Sequence, residues 1–464
     1  METIIQQITV EMARKLFKKV EEGGLCDIDR FSTESLEICK ESVREMIAQL
    51  GRLINEELRC DKKYREEQGL LLKEKERERW LLTEIGHIRI QRDYYRVKDS
   101  GKYVCPLDEM FGIASYERIS PTVSAKMVER AAEMSYEKSA RGVTDAKVSK
   151  QTVKNKLHEV GRLEKDLPRE KRSVRELHVF ADEDHAHLRN GQSRIVPLIT
   201  VSEGVRKVSA SRNALVNPVH FASTSRHTGK AWEAVAGYIE TAYVEKTIEC
   251  IYLHGDGAAW IKRGLEELPK SLFVLDGFHL EERLRSVTAA FHKYNYHFRI
   301  RQAMFEKKED KVQVLFEEML SQAETPQQAK RIRKVLSYIK DNWDGIVCRQ
   351  DGILGSCTEG LISHVYAERL SRNPMAWSEK GLDKMAELRV YTRNGCCVSA
   401  DAFRRSREEK ERSALNDYAK ERLKDAVCGQ FDWSIFDKDS YIPAVNSPTQ
   451  ILIRAYGRQN NFVG

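Results

Sequence analysis

Three acidic residues stand where strands end or a helix begins: Asp182 in HVFADEDHAH, Asp256 in IYLHGDGAAWIK and Glu359 in GSCTEGLISHVYAERL. Carboxylates that meet at the edge of a sheet can hold two Mg²⁺ ions. Such a pair clamps the attacking and leaving oxygens of a phosphodiester. An aspartate at a strand's carboxyl end faces the crevice where open α/β sheets bind ligands. Asp182, Asp256 and Asp276 all fit that position. Mg²⁺ takes one or two carboxylates and fills its remaining positions with water and substrate phosphates. One acid on each of two adjacent strands and a third on a packed helix is therefore a sufficient set.

Each residue also has a plainer reading. Asp182 and Asp184 point to the same face of an extended segment, because side chains repeat every two residues. Asp182 is preferred because the apolar run ends there. Gly255 and Gly257 flank Asp256 and permit a tight turn. Ser356 and Glu359 have the spacing of a capping box, in which Glu359 only caps its own helix. Asp276-Gly-Phe-His279 follows a strand directly and could set His279 beside the acids, as a general base, a phosphate donor or an orienting group. Arg369 and Arg372 lie further along the Glu359 segment, suited to bidentate phosphate contacts or to plain solvation.

The elements that would position these groups follow from the periodicity. Residues 1–75 read as helical, with Val43, Met46, Ile47, Leu50 and Leu53 at helical spacing. Residues 76–117 carry β-formers and turn signals, a small antiparallel meander. Residues 118–170 return to helix. Ser120-Pro121 starts one helix, Ser135 caps a short second and Ser149 a third. That arrangement resembles a helix-turn-helix, and Lys150, Gln151, Lys154 and Asn155 would be exposed on its last helix, suited to phosphate and base-edge contacts. A three-helix packing unit without DNA fits equally well.

From 171 to 280 strands alternate with helices, giving a mixed sheet with crossovers. SLFVLDGFHL is read there as a strand, and AAWIKRGLEEL as one helix. Residues 281–350 are all helix, an insertion before the segment 351–395 that carries Glu359. A charged tail, 396–464, completes the chain.

Composition sets the outer bounds. The 464 residues are 32% charged and 41% hydrophobic, enough for a sizeable core. The net charge of +7 is a mild basic excess, weak evidence for a nucleic-acid partner. Ten scattered cysteines form no C-x-x-C pair, which disfavours a zinc ribbon or disulfide framework and fits a cytoplasmic protein. No stretch is apolar enough to span a bilayer.

With those residues in place, the chain resembles the DDE transposases of bacterial insertion sequences, in particular the ISLre type. The resemblance covers nearly the whole length. It is carried by IRIQRDYY, PLDEMFGI, YERISP, ADEDHAH, HGDGAAWIK, LDGFHLEERL, the TEG-centred segment and RLSRNPMAWSEKG, in that order. It implies an α/β catalytic core of RNase H type, split by a helical insertion and preceded by helical, β-meander and helix-turn-helix modules. It implies Asp182, Asp256 and Glu359 as catalytic and metal-binding residues for two Mg²⁺ or Mn²⁺ ions. Asp184, Asp276 and His279 would support them. The implied partners are terminal inverted repeats, target DNA and a second copy of the chain. The alternatives are an RNase H-like nuclease or resolvase that only cuts, and a non-catalytic DNA-binding regulator derived from a transposase.

Overall fold

The computed structural model describes residues 2–22, 27–144, 146–161, 163, 167–209, 213–223, 228–350, 357–373 and 375–404. Ser356 and the tail beyond 404 lie outside the described residues. The chain divides into two units.

The first is built on Met1–Ala125 and Ala140–Val148. It opens with α1 (Glu2–Glu21), the long α2 (Ile28–Cys60) and α3 (Lys62–Glu67). Asp27 caps α2 by accepting the amides of Asp29 and Arg30. Three antiparallel strands follow: β1 (Leu70–Thr83), β2 (Gly86–Val97) and β3 (Tyr103–Val104), then α4 (Pro106–Met110). The helical spacing of α2 lays Ile47, Leu50, Ile54 and Leu58 onto Leu81, Ile88, Ile90 and Tyr95 of the sheet. One boundary differs from expectation, since β1 starts at Leu70 rather than after residue 75. Its run KEKERE is exposed on both faces and shows no apolar alternation. Pairing with β2, not burial, makes it a strand.

The second unit comprises Lys126–Ser139 and Ser149–Ala402. The division falls inside α5 (Pro121–Ala131). Next come α6 (Tyr136–Ala140) and α7 (Lys150–Glu159). Ser149 caps α7 by accepting the Thr152 amide, as its position predicts. The sheet contains β4 (Glu176–His187), β5 (Ser193–Ser202), β8 (Val219–Ala222), β9 (Cys250–Gly255) and β10 (Ser271–Leu275). Between β5 and β8 the chain makes the small ribbon β6 (Val205–Lys207) and β7 (Asn213–Leu215). The order across the sheet is β10-β9-β4-β5-β8. The first three strands are mutually parallel, and β5 and β8 pair antiparallel.

On one face α8 (Thr228–Ala242) packs Trp232, Val235 and Ile239 against Leu177, Val179 and Val201. Two short helices, α9 (Ala259–Lys262) and α10 (Gly264–Glu267), replace the single helix expected there. A side chain at Gly264 would run into the Trp232 ring.

The all-helical stretch is as expected: α11 (Gly277–Thr288), α12 (Tyr296–Phe305), α13 (Glu309–Ser321), α14 (Pro326–Asp341) and α15 (Trp343–Gln350). Its core of Leu284, Ile300, Phe316, Met319, Ile332 and Ile346 closes onto Leu275 of β10. After it come α16 (Thr358–Ile362), a π-helical turn at Ser363–Ala367 and α17 (Glu368–Leu370), followed by α18 (Glu379–Arg393) and α19 (Asp401–Arg404). No helix among the described residues is long and apolar enough to cross a membrane.

Candidate active site

Strand register brings three aspartates to one level. β4 and β9 pair in parallel up to Phe180 and His254, so Asp182 and Asp256 each stand two residues beyond the last pair. β9 and β10 pair up to Gly255 and Leu275, so Asp256 and Asp276 each follow that pair by one. The Asp276 amide donates to the Gly255 carbonyl at 2.8 Å and locks this alignment. β4 does not end at Asp182, as the apolar run suggested. It continues to His187 on β5 alone. Asp182 therefore sits where the sheet forks, with the parallel strands finishing beside it.

Each carboxylate is oriented locally. Asp256 folds back on its own turn, accepting the Ala258 amide at 2.8 Å. Gly257 takes φ +87°, and a side chain there would collide with Asn342. Asp276 is not part of a strand. It is the N-cap of α11, accepting the Phe278 amide at 2.6 Å, because β10 ends at Leu275. Its other oxygen accepts the Thr358 hydroxyl. From the first turn of α11, His279 reaches back so that its Nε2 lies 3.9 Å from Asp182 Oδ2. Asp182, then the further negative charge of Asp276 and Asp256, pushes the His279 imidazole up to about 9 against the opposing effect of burial.

Glu359 lies in the first turn of α16, which packs against β4. Its neighbour Thr358 holds Asp276 while Glu359 itself is exposed. Its capping-box partner Ser356 is outside the described residues. Asp184 is buried, one oxygen accepting the His185 amide at 2.9 Å, and burial raises its carboxyl. A buried carboxyl held toward its neutral form is a poorer ligand for a hard cation than Asp182.

Sequence reasoning missed three supports. Tyr338, on α14, donates its hydroxyl to the Asp256 carbonyl at 2.8 Å. Trp260 Nε1 donates to Glu183 at 2.6 Å, on the opposite face of β4 from Asp182. Thr358 is the third. No local signal marks Tyr338, which lies 82 residues from its acceptor. Trp260 falls in AAWIKRGLEEL, where the sequence shows a helix and no partner for the indole.

The expected DNA-contact residues divide. Lys150, Gln151 and Asn155 are exposed on α7, but Lys154 is half-buried, and Gln151 and Asn155 bond each other at 2.8 Å. Arg372 is exposed and bonds Ser363. Arg369 is a correction. It is buried, donating to the Ala131 carbonyl at 2.9 Å and lying over the Trp377 and Tyr136 rings at 5.0 and 5.5 Å. It is structural rather than a surface phosphate clamp.

Fold and site together define an α/β protein whose mixed sheet gathers three aspartates and a histidine at one edge. The chain belongs to the family described as Uncharacterised protein family (UPF0236), whose profile matches residues 28–407. A UPF0236 protein of Caldanaerobacter subterraneus subsp. tengcongensis is 40% identical over 359 residues, 77% of this chain and 75% of that protein. A second protein of that organism is 39% identical over the same span. The UPF0236 protein in the vanSb 3′ region of Streptococcus gallolyticus is 25% identical over 333 residues, 67% of this chain and 72% of its own length.

Proposed function

We propose that the protein is a DDE-type DNA transposase, cutting the ends of a bacterial insertion sequence and joining them to target DNA. The observation that carries this reading is the register that levels Asp182, Asp256 and Asp276. The strand order, two antiparallel strands beside three parallel ones with a helix bearing Glu359 packed on β4, supports reading the core as RNase H-like. The Caldanaerobacter relative's name gathers eleven locus designations into one protein. A moving element leaves such multiplicity behind.

The donor set fits a hard divalent cation. Its first-choice ligands, Asp182, Asp256 and Glu359, are all carboxylates, and His279 stands 3.9 Å from Asp182 with Asp276 and Asp256 adding negative charge around it. Asp182, Asp256 and Glu359 would hold two Mg²⁺ or Mn²⁺ ions, which supply Lewis-acid stabilisation of the charge that develops on a phosphodiester in transfer. The chain's own part is positional. The Asp256 turn and the α11 cap fix two carboxylates at the sheet edge, and His279 offsets their charge beside Asp182. Positioning and electrostatics dominate phosphoryl transfer, so no covalent protein–DNA bond is needed.

A joining assay tests the reading. The protein meets a labelled duplex carrying the repeat that flanks its gene, a supercoiled plasmid and Mg²⁺ or Mn²⁺. Label joined covalently to plasmid is expected. Cut but unjoined DNA would mean a nuclease or resolvase, and binding without cutting would mean a regulator.

A further inference from the structure

The net charge of the chain is spread thinly, and most of its cations are interleaved with acids. One place departs from that pattern. A cavity of about 270 Å³ lies between α6, α7, the β4–β5 turn and the start of α18. Lys150 and Lys154 line it from α7 and Arg189 from the turn, and Arg369 closes its wall beside Trp377. Glu137 is the only carboxylate in the lining among the described residues. Arg189 is exposed, and the backbone fixes its place: its amide donates to the Trp377 carbonyl at 2.9 Å.

A histidine stands beside these cations. The Nε2 of His158, also in the lining, is buried with no hydrogen-bond partner among the described residues. Burial and then Lys154, Lys380 and Lys384 push that imidazole down, and of these lysines Lys154 lines the cavity. Lys150, Lys154 and Arg189 converging on a partly open hollow with apolar and aromatic walls, and with one carboxylate among the described lining residues, suit one chemistry. That chemistry is a phosphate group, whose oxygens accept from several donors at once.

We infer that this cavity is a phosphate-binding site whose ligand is a backbone phosphate of duplex DNA, with Arg189 a DNA-contacting residue on the sheet's own turn. The phosphate chemistry stands on the cavity, and the DNA source rests on the proposed function. The consequence is that α7 and the β4–β5 turn grip one backbone together, coupling the helical DNA reader to the sheet that carries the acids.

The test measures anisotropy of a labelled duplex with the full chain across a KCl series. Wild type, Arg189→Ala, Arg189→Lys and Lys150→Ala/Lys154→Ala are compared, with melting curves to confirm folding. The slope of log K against log salt is expected to fall by about 0.9 for Arg189→Ala and to recover in Arg189→Lys, since each phosphate contact releases counterions. A parallel melt with inorganic phosphate or pyrophosphate separates the sources. If the slope is unchanged but phosphate stabilises wild type and not Arg189→Ala, the cavity takes a free phosphoryl anion and the DNA assignment falls. If neither readout moves, there is no phosphate site. A chain that binds duplex with the expected slope changes but never cuts or joins leaves the site standing and overturns the transposase reading alone.

Discussion

Two aspartates two residues apart on β4 pose the sharpest residue-scale question. Periodicity puts Asp182 and Asp184 on one face and cannot rank them. Register ranks them: Asp182 is level with Asp256 and meets His279, while Asp184 lies buried with a raised carboxyl. Asp182→Asn and Asp256→Asn are therefore expected to abolish strand cleavage while leaving DNA binding intact. Asp184→Asn should keep at least about a tenth of the cleavage rate, because it changes a group behind the site. Cleavage by Asp256→Asn at the wild-type rate would sink the assignment, and a dead Asp184→Asn that still folds would reverse the ranking. Arg369 shows the opposite limit of the sequence. Its spacing on the Glu359 segment looks like a phosphate clamp, but its aromatic partners Tyr136 and Trp377 are distant or bent back in the chain, and only the fold buries it.

At the scale of elements, what was legible was what local chemistry decides. Ser120, Ser135 and Ser149, read as helix starts from residue type, accept the amides of Val123, Lys138 and Thr152. The limits of β1 and the role of Asp276 were not legible, because strand pairing and a long-range bond from Thr358 decide them. Asp93 is the clearest case of an element joint invisible in sequence. Fully buried on β2, it accepts two bonds from Arg59 of α2, at 2.6 and 3.0 Å, and the amide of Glu76 at 2.9 Å. Glu76 has φ +53° in a bulge of β1, so one carboxylate ties a helix, a bulge and a strand.

Burial opposes ionisation of Asp93, but the Arg59, Glu76 and Asn55 bonds outweigh it and hold the carboxyl below its usual 3.8. A depressed folded value means stability that is present above 3.8 and lost as the pH falls through the lower folded value. Asp93→Asn should cost about 2 kcal/mol at neutral pH, since the half-buried Arg59 loses its two charge-assisted bonds. Urea titrations at neutral and acid pH should also show a smaller acid-induced loss than wild type. An equal loss in both proteins would remove Asp93 from the linkage.

The helical insertion makes a similar joint in the second unit. Tyr338 holds the Asp256 carbonyl, and Lys262 donates to the Asp341 carbonyl at 2.8 Å. Losing one such bond costs about 1 kcal/mol, so Tyr338→Phe should lower the cleavage rate about five-fold with unchanged duplex affinity. An effect on affinity alone would make the insertion a DNA-binding element rather than a brace for the Asp256 turn.

For the whole molecule, the proposed chemistry demands more than one chain. The residues described here gather one acidic edge, built on β4, β9 and β10. Moving an element requires cutting two ends and holding them together until both are joined. If each end is processed by its own chain, mixing wild type with Asp256→Asn at constant total protein separates the possibilities. Single-end cleavage should fall in proportion to the active fraction. Products with both ends joined should fall as its square, because both chains of a pair must be competent. A linear fall of the two-ended product would mean that one chain serves both ends in turn, and the expected dimer would then be an architectural clamp rather than a pair of active sites.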